Sequence, residues 1–485
     1  MLFNSLEFAL FLPLVFLLYW CIPNKKNSLR NLILLIASYF FYGWWDWRFL
    51  GLIFISSLCD YFVGLQLAKT DSKRSRKLWL ILSLVVNLGF LGTFKYYGFF
   101  VESFVDAFAF FGYQFSPARL EIVLPVGISF YTFQTLSYTI DVYRGKINPT
   151  HKLIEFFTYV SFFPQLVAGP IERARHLLPQ FSVTKQFEFS WGMSGMRLIL
   201  WGLFKKVVVA DNCAIVVNQI FSDYSNYSGS TLLMGCLLFG FQIYGDFSGY
   251  SDIAVGTGRL FGFDLMQNFK IPYFSRNIGE FWRRWHISLT SWFRDYLYIP
   301  IGGSKGSRFR TILNVLIVFL VSGLWHGANW TFIAWGFINA VLFIPLIFFG
   351  RNRAYVDSKF GGRYFPTAGN LVRITFTFLL VSLTWIFFRS ETIQASFEYL
   401  AIIFSPSIIE TPYVFGIGLS QMILVICSVG LLFYSEWIGK EEQLPLDTLV
   451  NDRDSWKYNV LSCFVLAIIV FMFGGQQQEF IYFQF

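Results

Sequence analysis

Apolar runs long enough to cross a bilayer recur from one end of this 485-residue chain to the other, and they leave few folds open. About 30 Å of hydrocarbon takes roughly 20 helical residues. Inside it every backbone N–H and C=O must find a partner within the protein, which only helices and closed barrels achieve. Barrel strands would show as short alternating segments, and these runs are long and continuous. A composition of 55% hydrophobic, 21% aromatic and only 14% charged residues also belongs to a chain whose solvent is lipid. The expected fold is all-α: a polytopic transmembrane helical bundle of about eleven or twelve spans plus re-entrant helices. We expect one domain over residues 1–485, without internal repeats, ending in an extracytoplasmic tail at residues 476–485.

Charge placement sets the expected topology. The formal net charge of +9 could suggest a nucleic-acid partner, but Lys and Arg fall in short stretches between apolar runs and not along one helical face, so no nucleic acid is expected. Lys25, Lys26 and Arg30 follow the first apolar run, and Lys69, Lys73, Arg74, Arg76 and Lys77 come two runs later. The positive-inside rule puts both clusters in the cytoplasm and the N-terminus outside, with Trp44, Trp45 and Trp47 at the outer interface. Arg351, Arg353, Lys359 and Arg363 mark another cytoplasmic loop, as does Lys440 to Lys457, and a last run near Val460 to Phe473 returns the C-terminus outside. Met1 to Glu7 has no basic residue ahead of its apolar run, so this end reads as a retained helix and not as a signal peptide. The six cysteines carry no C-x-x-C pair and no histidine at ligand spacing; neither disulfide nor metal is expected.

Polar residues inside apolar sequence locate the candidate chemistry. Leu124 to Ala168 and Leu232 to Gly262 mix Pro, Gly, Gln and Asp into membrane-like sequence, which survives only when buried in protein or lining a wet cavity. Four histidines are available. His151 and His176 stand beside Lys152 and Arg175 in polar loops and read as solvated. His326 lies in Val321-Ser-Gly-Leu-Trp-His-Gly-Ala-Asn-Trp330, between two apolar runs, where an imidazole is costly unless a cavity or partner receives it. Its intrinsic pKa of about 6.5 suits a general base, and Gly323 and Gly327 beside it leave room for substrate. A core histidine hydrogen-bonded to a neighbouring helix fits the spacing equally well. His286 lies in Phe281-Trp-Arg-Arg-Trp-His286, where Trp282, Trp285, His286 and Leu289 share a helical face. Arg283 and Arg284 beside it could hold an anionic carrier or reach lipid phosphates. Asp246 and Asp252, near Gln242, need cationic partners such as arginine or water, and could orient a histidine or serve structure alone. Nucleophile-elbow, Walker and H-E-x-x-H patterns do not occur.

Taken together, Pro125-Val-Gly-Ile-Ser-Phe-Tyr-Thr-Phe-Gln134, Phe162-Phe-Pro-Gln-Leu-Val-Ala-Gly-Pro170, Tyr244-Gly-Asp-Phe-Ser-Gly-Tyr250, Phe281 to His286 and Ser322-Gly-Leu-Trp-His-Gly327 resemble the membrane-bound O-acyltransferase family, in the branch of alginate O-acetyltransferase membrane components. The resemblance implies that His326 is the catalytic histidine and His286 its polar partner, and that helices ring a central funnel; Trp325, Asn329, Asp246, Gln242, Arg283 and Arg284 are the candidate substrate-binding residues. It further implies acetyl-CoA as acyl donor, no bound cofactor, an extracytoplasmic SGNH-type transferase or esterase as partner, a polysaccharide acceptor, and a bacterial cytoplasmic (inner) membrane location. The ending Phe480-Ile-Tyr-Phe-Gln-Phe485 is similar to that of small proteins in teichoic-acid D-alanylation, and makes Tyr482 a candidate acyl carrier. D-alanyl transfer, and a non-catalytic export transporter or scaffold, are the competing readings.

Overall fold

The computed structural model describes residues 1–114, 123–167, 169–356, 366–440, 461, 464–465, 467–469, 471–472 and 478–481. Among these the regular structure is helical throughout, without strands. Seven stretches are long and apolar enough to cross a membrane, two of them 43 and 38 residues long, and Leu6–Cys21 and Ile393–Ile403 are shorter apolar helices. The chain is thus a multi-pass helical membrane protein. Seven counts stretches and not spans, since the 43-residue one holds two helices, so it does not test the eleven or twelve spans expected.

The backbone groups into two compact units, residues 1–196 with 254–266, and residues 197–253 with 267–485. No linker in the sequence announces them, because both boundaries near 196 and 253 fall inside helices, Phe189–Leu203 and Gly229–Leu260.

In the first unit, the 43-residue stretch is two helices, Asn27–Asp46 and Leu50–Lys69, broken by the turn Trp47–Phe49. Asp46 makes the break: its carboxylate accepts from the Arg48 backbone N–H at 2.9 Å and pairs with the Arg48 guanidinium, capping the turn. Trp44, Trp45 and Trp47 are exposed there, as an interfacial anchor requires. Arg30, from the first basic cluster, does not point into solvent. It is buried, stacked on Tyr19 and Trp20, and donates to the carbonyls of Ile22 and Lys185. The buried Asp60 carboxylate accepts from Ser83 at 2.5 Å, Asn87 at 2.8 Å and Thr139 at 3.0 Å, which joins three helices through a polar seam.

His176 is half-exposed, as its polar neighbours suggest, but it is also paired. Its Nδ1 lies 2.8 Å from the buried Glu172 and its Nε2 3.3 Å from Asp264. Hydrogen bonds to Asp264 and Glu172 raise its pKa to about 10, the same contact holds Asp264 below its ordinary range, and burial pushes Glu172 up. A histidine that gains partners on folding stabilises fully below its ordinary 6.5 and loses that contribution as pH rises toward 10. His176→Gln should therefore lower stability at pH 6 by about 1 kcal/mol, the partly open setting limiting the effect. The deficit should close as detergent-solubilised protein is melted at rising pH, and a constant deficit up to pH 10 would remove the ion-pair account.

In the second unit, Gly229–Leu260 contributes residues up to Ile253. Its apolar window is 78% buried, against 17% for Lys73–Phe110 in the first unit, so it is faced by protein and can carry Gln242, Asp246 and Asp252. Helices Arg308–His326 and Trp330–Phe348 form a tight hairpin across Gly327–Asn329. A Cβ on Gly323 would stand 2.2 Å from the Phe332 carbonyl oxygen, and one on Gly327 2.1 Å from the Phe332 ring. The room these glycines leave is filled by the hairpin's own second helix, not by substrate.

Candidate active site

His326 is the last residue of Arg308–His326, where Gly327 turns the chain into extended backbone and Asn329 caps the next helix by accepting from Thr331 N–H at 3.0 Å. The Asn329 amide also donates to the Glu391 carbonyl at 3.0 Å, which fixes the corner. The imidazole is 4% exposed and held edge-on by Trp335 at 5.1 Å and Phe388 at 5.3 Å. Trp325 packs on it at 5.0 Å and reaches His286 at 6.0 Å, so one indole spaces the two histidines.

His286 reaches the site by a broken helix and not by the continuous helical face expected. Ile278–Arg284 ends, Trp285 is extended, and His286 takes a left-handed conformation at φ 43° before Ile287–Phe293 begins. A residue with a side chain adopts that backbone only where its surroundings enforce it. The break nevertheless brings the four expected residues to one place. Trp282, Trp285, His286 and Leu289 line, with Ser322 and His326, a cavity of about 60 Å³. His286 is 2% exposed, and among the described residues neither of its ring nitrogens has a hydrogen-bond partner; the same holds for the Trp282 indole N–H. Buried polar groups are normally satisfied, so this wall offers three atoms with which a polar guest could bond.

The remaining candidates divide. Arg283 donates to the carbonyls of Asn352 at 2.8 Å and Ala354 at 2.6 Å, and Arg284 to Glu280 and Lys270, so both tie this segment to its surroundings. Gln242 is half-buried, with Oε1 unpartnered among the described residues. Asp246 and Asp252 pair with lysines: Lys206 Nζ is 2.8 Å from both Asp246 and Asp211, and Lys205 Nζ is 2.5 Å from Asp252. Sequence reasoning missed Lys205 and Lys206. The signal was present, since two lysines in Leu203-Phe-Lys-Lys-Val-Val-Val209 lie in apolar sequence and need carboxylates. Tyr482 lies outside the described residues, but Phe480 and Ile481 before it are buried.

Helices long enough to span lipid and two buried histidines on one small cavity define a polytopic membrane protein with the makings of intramolecular acid–base chemistry. Residues 39–389 match the membrane-bound O-acyltransferase family, to which the chain belongs, and it is an acyltransferase. It is 41% identical over 408 residues to the probable alginate O-acetylase of Pseudomonas aeruginosa, covering 84% of this chain and 75% of that one. It is 34% identical over 429 residues to the peptidoglycan O-acetyltransferase of Helicobacter pylori, covering 82% and 79%. It is 30% identical over 247 residues to the teichoic acid D-alanyltransferase of Bacillus subtilis, covering 47% and 61%.

Proposed function

We propose that this protein takes acetyl from acetyl-CoA at the cytoplasmic face of a bacterial inner membrane and delivers it outside for O-acetylation of a polysaccharide, with an SGNH-type enzyme as extracytoplasmic partner. The observation that carries the reading is the cavity shared by His326 and His286. At about 60 Å³ it has room for roughly four waters, enough for an acetyl group. Its described lining holds no carboxylate to receive the ammonium of a D-alanyl group, which favours acetate over D-alanine. Two of the relatives above are also named for O-acetyl transfer.

In this mechanism His326 is the general base. A phenol with an ordinary pKa of about 10 is a weak nucleophile until its proton is removed. An imidazole nitrogen of His326 takes the proton of Tyr482, and the phenolate attacks the thioester carbonyl. The C–S bond breaks, the imidazolium proton passes to the departing thiolate, and tyrosyl acetate and free CoA remain. The acetyl ester is then transferred to a hydroxyl of the partner enzyme, restoring the phenol, and both chain ends lie outside. His286 holds the guest's polar atoms.

The test is to supply membranes with acetyl-CoA labelled in the acetyl group and follow label on the chain alongside polymer-bound acetate. Wild type should carry label that Tyr482→Phe lacks, with polymer acetate reduced at least tenfold in the variant. Equal label and acetate in the two would remove the relay, and label entering only from a D-alanyl carrier would replace acetate by D-alanine.

A further inference from the structure

The buried charges around Lys206 are not used by the mechanism above, and they converge on the end of the chain. Lys206, with its side chain 1% exposed, sits between Asp211 and Asp246 and also donates to the backbone carbonyl of Gln478 at 3.0 Å. The second oxygen of Asp246 accepts from the Ile481 N–H at 2.6 Å. Asn218 donates to the Gln478 side-chain oxygen at 3.3 Å and is itself held by Arg389 at 3.1 Å. The tail is therefore gripped at both ends of a four-residue segment, once through a carbonyl and once through an N–H. Between those grips Phe480 is fully buried, its ring 4.2 Å from Tyr250 and 6.2 Å from Phe247. Phe247 in turn packs edge-on against His286 at 4.6 Å.

Burying a cation and two carboxylates in an apolar protein is a poor way to gain stability, because desolvation offsets most of the attraction. In some proteins such clusters serve to fix register. Here the held object is a segment 272 positions away in sequence from Lys206, placed one aromatic ring from a site histidine. We propose that Lys206 and Asp246 are positioning residues for acyl transfer: as a clamp on Gln478–Ile481, they hold that segment one aromatic ring away from His286. The proposal deepens the relay reading, on which its purpose rests, since Tyr482 is the residue that follows Ile481. Lys206 and Asp246 touch no reacting atom; they act through the segment they grip.

The experiment uses the full chain. Detergent-solubilised protein is digested with a carboxypeptidase and weighed intact, and polymer-bound acetate is measured in cells at matched abundance. Wild type should resist trimming at Ile481. Lys206→Met should be trimmed past Gln478 and lose acetate transfer at least tenfold, and Lys206→Arg should restore both. Should Lys206→Met fail to accumulate, Phe480→Ala gives the same reading from the tail side with the charge cluster intact, and should show the same paired loss. Retained protection, or lost protection with normal acetate, would overturn the clamp. Tyr482→Phe separates the two proposals: it should keep protection while losing acetate, and normal acetate in that variant removes the relay without touching the protection result.

Discussion

Replacing His326 by glutamine should reduce polymer-bound acetate by about 10²- to 10⁴-fold, the range a positioned general base contributes. Glutamine is preferred to alanine as the first variant because the imidazole packs against Trp325, Trp335 and Phe388, and removing it would open a hole among them. Glutamine fills much of that space and can hydrogen-bond, but it cannot take a proton from a phenol or a hydroxyl near neutral pH. Loss of transfer with normal membrane abundance therefore isolates proton transfer from packing. His326→Ala should lose as much activity, with some additional loss of stability. Acetate unchanged in both variants would leave the histidine as a packing residue and remove it from the mechanism.

The second large effect is expected at a position with no chemistry. Gly323→Ala should destabilise the second unit by at least about 1–3 kcal/mol, the usual cost of overpacking. The added methyl would stand 2.2 Å from a backbone oxygen, which cannot swing aside as a side chain could. The hairpin Arg308–Phe348 would have to part, and His326, three residues on, would move with it. Activity and thermal stability should fall together, unlike His326→Gln, where activity falls alone. Gly51→Ala and Gly89→Ala are the controls: nothing lies within 4 Å of either added carbon, and alanine is the better helix former by up to about 1 kcal/mol. A Gly323→Ala protein that melts like wild type would mean that the helices are not held at this separation.

Much of the site was legible in linear order, and the reasons are local. His326 and His286 stand out because an ionisable group amid apolar sequence is costly, and that cost is visible without knowing what faces it. The grouping of Trp282, Trp285, His286 and Leu289 was reached by assuming one helix, whereas the backbone breaks at Trp285 and His286 and still gathers them. Gly323 and Gly327 show the opposite limit. Their small size was readable, but whether substrate or Phe332 fills the space depends on the partner helix. The pairing of His176 shows the same limit: Glu172 is four residues away, but Asp264 comes within 3.3 Å only once the chain has folded.

What the sequence determined by itself was the class of structure. Apolar runs of spanning length must become helices, since no other open segment can satisfy its backbone in lipid, and the Trp-Asp corner at residues 45–46 breaks one such run by a cap formed within two residues. These are constraints acting over a turn or a span, so local composition is enough to read them. The tertiary structure decided which buried charges meet. Lysine at 206 requires a carboxylate, yet nothing in the order of residues says that Asp211 and Asp246 share it or that Gln478 completes the set. Coulomb attraction and hydrogen bonding depend on distance in space, and a separation of 272 residues becomes a 3.0 Å contact only after the helices have packed.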